Sequence, residues 1–395
     1  MGEFNFDEVI DRSGTNSLKW ENSGSRGLPM WVADMDFKTA PCITEAVMKR
    51  AQHGIFGYSV IPEEWENAYI GWWQRRHDFK ISREWLIFCT GVVPAISSVV
   101  RKITTVGEKV LIQTPVYNIF FNSIVNNGRF VVENPLIYRN GSYEMDFADL
   151  ERKLSDPQVS MMILCNPQNP AGRIWELETL QKVGELAAEY GVVVLSDEIH
   201  CDITDPGSRY VPFASVSEIC AANSITCIAP TKCFNIAGLN TAAVVVPDKK
   251  LRHRVWRGLN TDEVAEPNAF AVQAAVAAFE EGEPWLNELN EYIHAGRQLV
   301  TEFLREQIPE LKPVQSDATY LMWIDCSALC GDDCGDFVEA LRDETGLRVS
   351  SGGQYGSCGR QFLRLNIACP RARLEDGLQR LKKGAQNYRN RIGRR

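Results

Sequence analysis

No apolar run in the sequence approaches the ~18–20 residues that a membrane span requires, so a helical membrane protein is excluded. The first eleven residues lack the basic and apolar regions of an export signal and carry Glu3, Asp7, Glu8 and Asp11 instead. Gly2 follows Met1, but Phe6 stands where a myristoylation signal has Ser or Thr. Positive charge is also scarce. The net charge is −9, which argues against nucleic acid as a partner. The one basic run, 389–395, is short and terminal and reads as a solvated helix end. Histidine numbers only five. None follows Cys326, Cys330 and Cys334 at zinc spacing, and Gly331, Asp332, Asp333 and Gly335 put those cysteines in a loop, so no metal site is expected. Internal repeats and low-complexity segments are absent.

Cysteine, by contrast, is plentiful at twelve. Without an export signal, these are expected to be reduced thiols in a cytoplasm. At 395 residues the chain suits two domains rather than one. Short apolar runs at 86–89, 109–113, 160–165, 192–196 and 224–229 read as strands covered on both faces. Helix-like stretches such as 94–103 and 178–190 lie between them. That alternation predicts an α/β domain with a mainly parallel sheet. A further strand at 240–246 follows too closely for a right-handed crossover and is expected to run antiparallel. From about Pro284 the pattern changes. A long helix at 285–306, strands at 321–324 and 362–367, and helices at 334–345 and 373–388 predict a smaller α+β domain. The division is therefore an amino-terminal arm, 1–45, packing with the small domain; a large domain, 46–284; and a small domain, 285–395.

The special residues fall just after the strands. Thr90, Gly91, Val92 and Val93 follow the first, and Tyr117 the second. The Asn166–Pro167–Gln168–Asn169–Pro170 frame follows the third, Asp197 and His200 the fourth, and Lys232 the fifth. Ligands of open α/β sheets bind beyond the carboxyl ends of the strands. Each residue also has a plain alternative. Gly91 could be a simple turn or could open a helix whose amides hold a phosphate. The Asn-Pro frame could be only a rigid turn. Asp197 could cap a helix or partner a buried cation. Lys232 could be a surface charge, or a desolvated amine able to form a Schiff base. Arg364 lies inside an apolar strand, where an unpaired guanidinium is costly, so it serves either a ligand or a structural salt bridge.

Ser196–Asp197–Glu198–Ile199–His200 and Ala229–Pro230–Thr231–Lys232–Cys233–Phe234–Asn235–Ile236–Ala237–Gly238–Leu239 resemble the fold type I aminotransferase superfamily. More narrowly, they resemble its MalY/PatB-like cystathionine β-lyase (C–S lyase) group. Residues 31–37, the 54–58 segment, Asn169 in its frame and Phe362–Leu363–Arg364–Leu365–Asn366 extend the likeness over nearly the whole chain. The resemblance implies a pyridoxal 5'-phosphate (PLP) transferase fold, with a mainly parallel seven-stranded sheet in the large domain. It implies that Lys232 carries PLP as a Schiff base and that Asp197 pairs with the pyridine nitrogen. Asn169 and His200 would lie near the phenolic oxygen, and Tyr117 would stack on the ring. Gly91, the amides of Val92 and Val93, and the Thr231 hydroxyl would hold the phosphate. Tyr58 would reach the phosphate of a neighbouring subunit, which implies a homodimer, and would assist catalysis. Arg364, with Tyr117 and Asn169, would bind the substrate and clamp its α-carboxylate.

Many aminotransferases of this fold carry a phosphate-gripping arginine eight residues after the Schiff-base lysine. Here that position is Asn240. The expectation is therefore α,β-elimination of cysteine S-conjugates to thiol, pyruvate and ammonia. Transamination of a small amino acid is the alternative, and a regulatory role through binding a transcription regulator is a third reading. The leaving group is not legible.

Overall fold

The computed structural model describes residues 2–21, 23, 24 and 26–393, so Met1 and the last two residues of the basic terminus, Arg394 and Arg395, lie outside the described residues. Seven strands form the main sheet: β1 (Leu86–Cys89), β2 (Lys109–Ile112), β3 (Phe130–Glu133), β4 (Val159–Cys165), β5 (Val193–Asp197), β6 (Ser224–Ile228) and β7 (Ala242–Val245). They lie in the order β1-β7-β6-β5-β4-β2-β3. Only β7 runs against its neighbours, pairing antiparallel with both β1 and β6, as its short connection requires. The strand not anticipated from local pattern is β3, at the sheet edge. Its Phe130 is exposed and its sequence, Phe-Val-Val-Glu, carries no turn signal of its own.

The buried strands read as continuous apolar runs because both faces are covered. In β4, Met161 and Ile163 face helix α3 (Val92–Ile103), packing with Val99 and Val100. Met162 and Leu164 face the other layer, against Leu180 and Val183 of α4 (Leu177–Glu189). This two-residue period fixes the register of the whole sheet.

A third apolar cluster joins the first helices, α1 (Pro41–Gln52) and α2 (Glu63–His77), to α5 (Ala271–Glu281) and onward to the long α6 (Glu283–Gln307). Phe279 sits at its centre with no exposed surface. Its ring lies 4.7 Å from Tyr69, 5.0 Å from Trp72 and 5.6 Å from Trp73. Phe279→Ala should lower the unfolding free energy by about 3–5 kcal/mol. Urea unfolding followed by tryptophan fluorescence checks this, as a fall in midpoint at unchanged slope.

The second sheet is antiparallel, with β8 (Lys312–Pro313), β9 (Leu321–Asp325), β10 (Ser350–Ser351) and β11 (Phe362–Asn366) in the order β8-β9-β11-β10. The amino-terminal segment is tied to this part of the molecule. Leu28–Pro29 pairs in parallel with Leu347–Arg348, and the Glu3 amide donates to Glu288 on α6 at 2.8 Å. Residue 45 lies inside α1, and residue 284 lies in the first turn of α6. Among the described residues no helix is long and apolar enough to cross a membrane.

Candidate active site

Strands β1 to β6 all point the same way, so the loops after them open on one edge of the sheet. Connections leave β2 and β4 in opposite directions, which creates a crevice between those neighbours at the carboxyl edge. The loop carrying Tyr117 and the one carrying Asn169 flank it.

Lys232 sits in the turn after β6, wound tight by Phe234 N–H to Pro230 O and Ile236 N–H to Thr231 O, both 3.0 Å. Its Nζ donates to the carbonyl of Ala33 at 2.6 Å, and the Tyr320 hydroxyl donates to the same oxygen at 3.0 Å. Burial, and next the charge of Arg364, push the amine down to about 8, while Asp34 and Asp197 pull the other way. The surface-charge reading of Lys232 therefore fails.

Asp197 closes β5 and is buried. No helix begins there, so the helix-cap reading fails too; the carboxylate accepts only the Ile199 amide, at 3.2 Å. Burial raises it to about 7, with Lys232 opposing. Among the described residues no cation lies at ion-pair distance from it. A buried carboxylate in that condition lacks the partner its burial calls for. His200 is held neutral, driven down to about 3 by burial and then by Lys232 and Arg364. Its Nδ1 is buried without a hydrogen-bond partner.

Arg364 projects from β11 of the second sheet, so the site lies between the two sheets. Its Nη1 donates to Asn169 Oδ1 at 3.2 Å and its Nη2 to Trp31 O at 2.9 Å. The guanidinium lies 4.9 Å over the Tyr355 ring, and Nε has no partner. Among the described residues no carboxylate pairs with it, so the structural salt bridge is absent. Tyr117 lies within the electrostatic reach of both Asp197 and Arg364. Burial, then Asp197, raises its hydroxyl.

Gly91 is the N-cap of α3 in an extended conformation, φ 174°, with no side chain capping the helix. The amides of Val92 and Val93 thus lack the intrahelical partners that later residues have. Thr231 is buried next to Lys232 in sequence. Tyr58 stands apart from these residues. It is fully exposed, on a segment whose Ile55, Phe56 and Val60 are exposed as well, and among the described residues it has no hydrogen-bond or ring partner. It lines an open hollow of about 590 Å³ with Asn240, Leu239 and Phe270. Asn240 itself ends a short turn in the left-handed region, φ 51°.

Four contributors had no individual signal in the sequence: the Ala33 carbonyl, the Tyr355 ring, and the side-chain amides of Asn235 and Asn366 that hold residues 31–37. The three cysteines expected in a loop instead border short helices: Cys326 and Cys334 are N-caps, Cys330 ends the helix Ser327–Cys330, and Cys334 Sγ donates to Phe362 O at 2.8 Å. A separate buried group, His77, Cys201 and Asp202, has donor atoms close enough for a metal. There, however, Asp202 is already engaged by His77 Nε2 at 2.9 Å, Arg76 Nε at 3.2 Å and Trp72 Nε1 at 3.1 Å.

The sheet edge thus gathers a desolvated lysine, an uncompensated buried carboxylate and an arginine without an acidic partner, and the fold as a whole matches PLP-bound fold type I enzymes. The chain belongs to the aminotransferase class I and II family, whose profile matches residues 28–381. It is 44% identical over 383 residues to cystathionine β-lyase PatB of Bacillus subtilis strain 168, covering 96% of this chain and 99% of that protein. It is 33% identical to protein MalY of Escherichia coli strain K12, covering 95% and 97%. Among solved structures, cystalysin from Treponema denticola, which contains a pyridoxal 5'-phosphate cofactor, superposes with a TM-score of 0.94 at 32% identity. That match covers 97% of this chain and 99% of that one.

Proposed function

We propose that the protein is a PLP-dependent cystathionine β-lyase, cleaving cysteine S-conjugates to a thiol, pyruvate and ammonia. The observation that carries this reading is the trio at the sheet edge: the Lys232 amine depressed to about 8, Asp197 buried without a cation, and Arg364 buried without a carboxylate. The likeness to a cystathionine β-lyase over 96% of the chain supports the reaction class.

The residues present fit the cofactor. Asp197 lacks the positive charge that a protonated pyridine nitrogen would bring, and His200 Nδ1 lacks a partner. Lys232 would anchor the cofactor and Tyr117 would cover its ring. Asn169 and His200 would face its phenolic oxygen. Gly91, the amides of Val92 and Val93, and Thr231 would receive the phosphate. Bound there, PLP supplies a sink for the electron pair released at Cα.

The remaining chemistry belongs to the chain. Arg364 presents a planar fork to the substrate carboxylate and fixes which Cα bond is exposed to Lys232. Lys232 Nζ, neutral in a useful fraction near neutral pH, takes the Cα proton and can return one to the departing sulfur. Asn240 brings no cation to the position where many transaminases have an arginine.

The exposed Tyr58 segment supports a homodimer in which Tyr58 completes the neighbouring subunit's phosphate site and assists at the leaving group. Twelve free thiols fit a reducing cytoplasm.

The reaction is tested by supplying cystathionine without any keto acid. Catalytic release of thiol and pyruvate is expected. Turnover that begins only when a keto acid is added would replace the lyase with a transaminase.

A further inference from the structure

Residues 31–37 cross the site as a strap whose backbone is held almost entirely by side chains from elsewhere. Trp31 O accepts from Arg364 and Ala33 O from Lys232 and Tyr320. Val32 O and Asp34 O both accept from Asn366 Nδ2, at 2.5 and 2.7 Å. At the other end, Asn235 Oδ1 accepts the Met35 amide at 3.0 Å. Its Nδ2 donates to Met35 O at 3.0 Å and Phe37 O at 2.9 Å. Asn235 lies three residues after Lys232 in the same turn, with φ 55°, a conformation Asn tolerates and most residues do not. Thus one turn touches one strap at two places: Lys232 at Ala33 and Asn235 at Met35.

We propose that Asn235 is a positioning residue that sets the register between the lysine turn and the strap. Through the strap it sets where Lys232 and Arg364 stand before substrate arrives. The inference rests on reading Lys232 as the reacting amine and Arg364 as the group that binds the substrate carboxylate.

The geometry leaves Asn235 no equivalent substitute. Both of its amide functions are used: one acceptor for an N–H and one donor group for two carbonyls. Among the described residues, loss of the clamp removes the strap's only side-chain link to the lysine turn besides Lys232 itself. Met35 O keeps Arg12 Nη1 at 3.1 Å and Ala33 O keeps Tyr320, so the strap stays bound but its register against Lys232 Nζ loosens. Displacements of about 1 Å at a reacting group cost on the order of 10²-fold in rate.

Two variants separate positioning from backbone conformation, because Gly and Asp both accept a positive φ. Asn235→Gly keeps the turn and deletes the three bonds. Asn235→Asp keeps the shape but turns a carboxylate towards two carbonyl oxygens. The first measurement is amide hydrogen exchange on the cofactor-free protein, which is independent of any activity. Exchange at the Met35 and Asp36 amides, which donate to Asn235 Oδ1 and Ala368 O, should quicken about tenfold or more in both variants, with β9 of the second sheet unchanged. On the loaded enzyme with cystathionine, kcat should fall by about 10–100-fold, more for Asp than for Gly, with a smaller change in KM. Wild-type exchange across the strap in both variants would overturn the proposal. So would quickened exchange with kcat unchanged. If no cystathionine turnover is seen even in the parent, it is the lyase reading that fails, and the exchange result still decides whether Asn235 clamps the strap.

Discussion

Lys232→Ala is expected to lower turnover of a cysteine S-conjugate by at least about 10³-fold, the loss of a nucleophile and a general base at one atom. Three features make the effect specific. The side chain is not part of the packing core, its Nζ is committed to a single carbonyl, and its basicity is set by burial beside Arg364. The variant should therefore fold, with a melting temperature close to that of the parent. Borohydride should fix PLP covalently to the parent and not to the variant, read by mass spectrometry of the peptide spanning 229–239. A small added amine should restore part of the turnover, because it replaces the base without repairing anything structural. Covalent fixation at another lysine would displace Lys232 from its role. The amine near 8 also gives a pH sign. Its neutral form grows as pH rises through about 8, so PLP should be taken up by the cofactor-free protein faster at pH 8.5 than at pH 6.5.

Asp197→Asn should act with opposite signs on the cofactor-free and the loaded protein. In the loaded enzyme a preorganised charge opposite the ring nitrogen is lost, and kcat should drop by about 10²–10³-fold. In the cofactor-free chain the carboxylate is a liability. Burial raises it to about 7, against an ordinary value near 3.8. A group raised in the folded state contributes stability that is full below its unfolded value and lost as pH climbs through the folded one. Cofactor-free stability therefore declines between about pH 4 and pH 7 on account of Asp197. Asparagine removes that decline. The cofactor-free variant should melt above the parent at pH 8, with the gap closing as pH approaches 4. Glu198, also raised to about 7 by burial, is present in both proteins and cancels from the comparison. Equal melting of the two proteins at pH 8 would mean that Asp197 already has a partner without the cofactor.

The sheet edge was legible because parallel strands buried on both faces are short apolar runs, and each run stops at a residue of different chemistry. That is why Tyr117, Asn169, Asp197 and Lys232 could be placed together before any coordinates. The edge strand β3 escaped because one side of it meets water, which leaves Phe130 exposed and blurs the pattern. Residues 31–37 were legible as part of the site, but the way their backbone holds Lys232 and Arg364 was not, for a deeper reason. They act through carbonyl oxygens, which every residue has, so no side-chain type marks them. Arg364 could be located within a strand, but not the Tyr355 ring beneath it, because that contact joins β11 to the short turn Gly352–Tyr355, which no periodicity places. Asp197 and Lys232 each had a bland local alternative that only burial could remove.

The twelve thiols add something of practical use. Nine are buried, while Cys42, Cys330 and Cys358 are only partly covered. Burial raises eight of the nine hidden thiols, Cys89 to about 11, which suppresses the reactive thiolate, while the hydrogen bond with Cys326 lowers Cys334. The protein therefore carries an internal clock for its own opening. A thiol-reactive dye meets at most three sites at once, and the remaining nine become available only as the surrounding layers part. Because those nine are spread through the main sheet, the lysine turn and the second sheet, the order in which they label records which region loosens first.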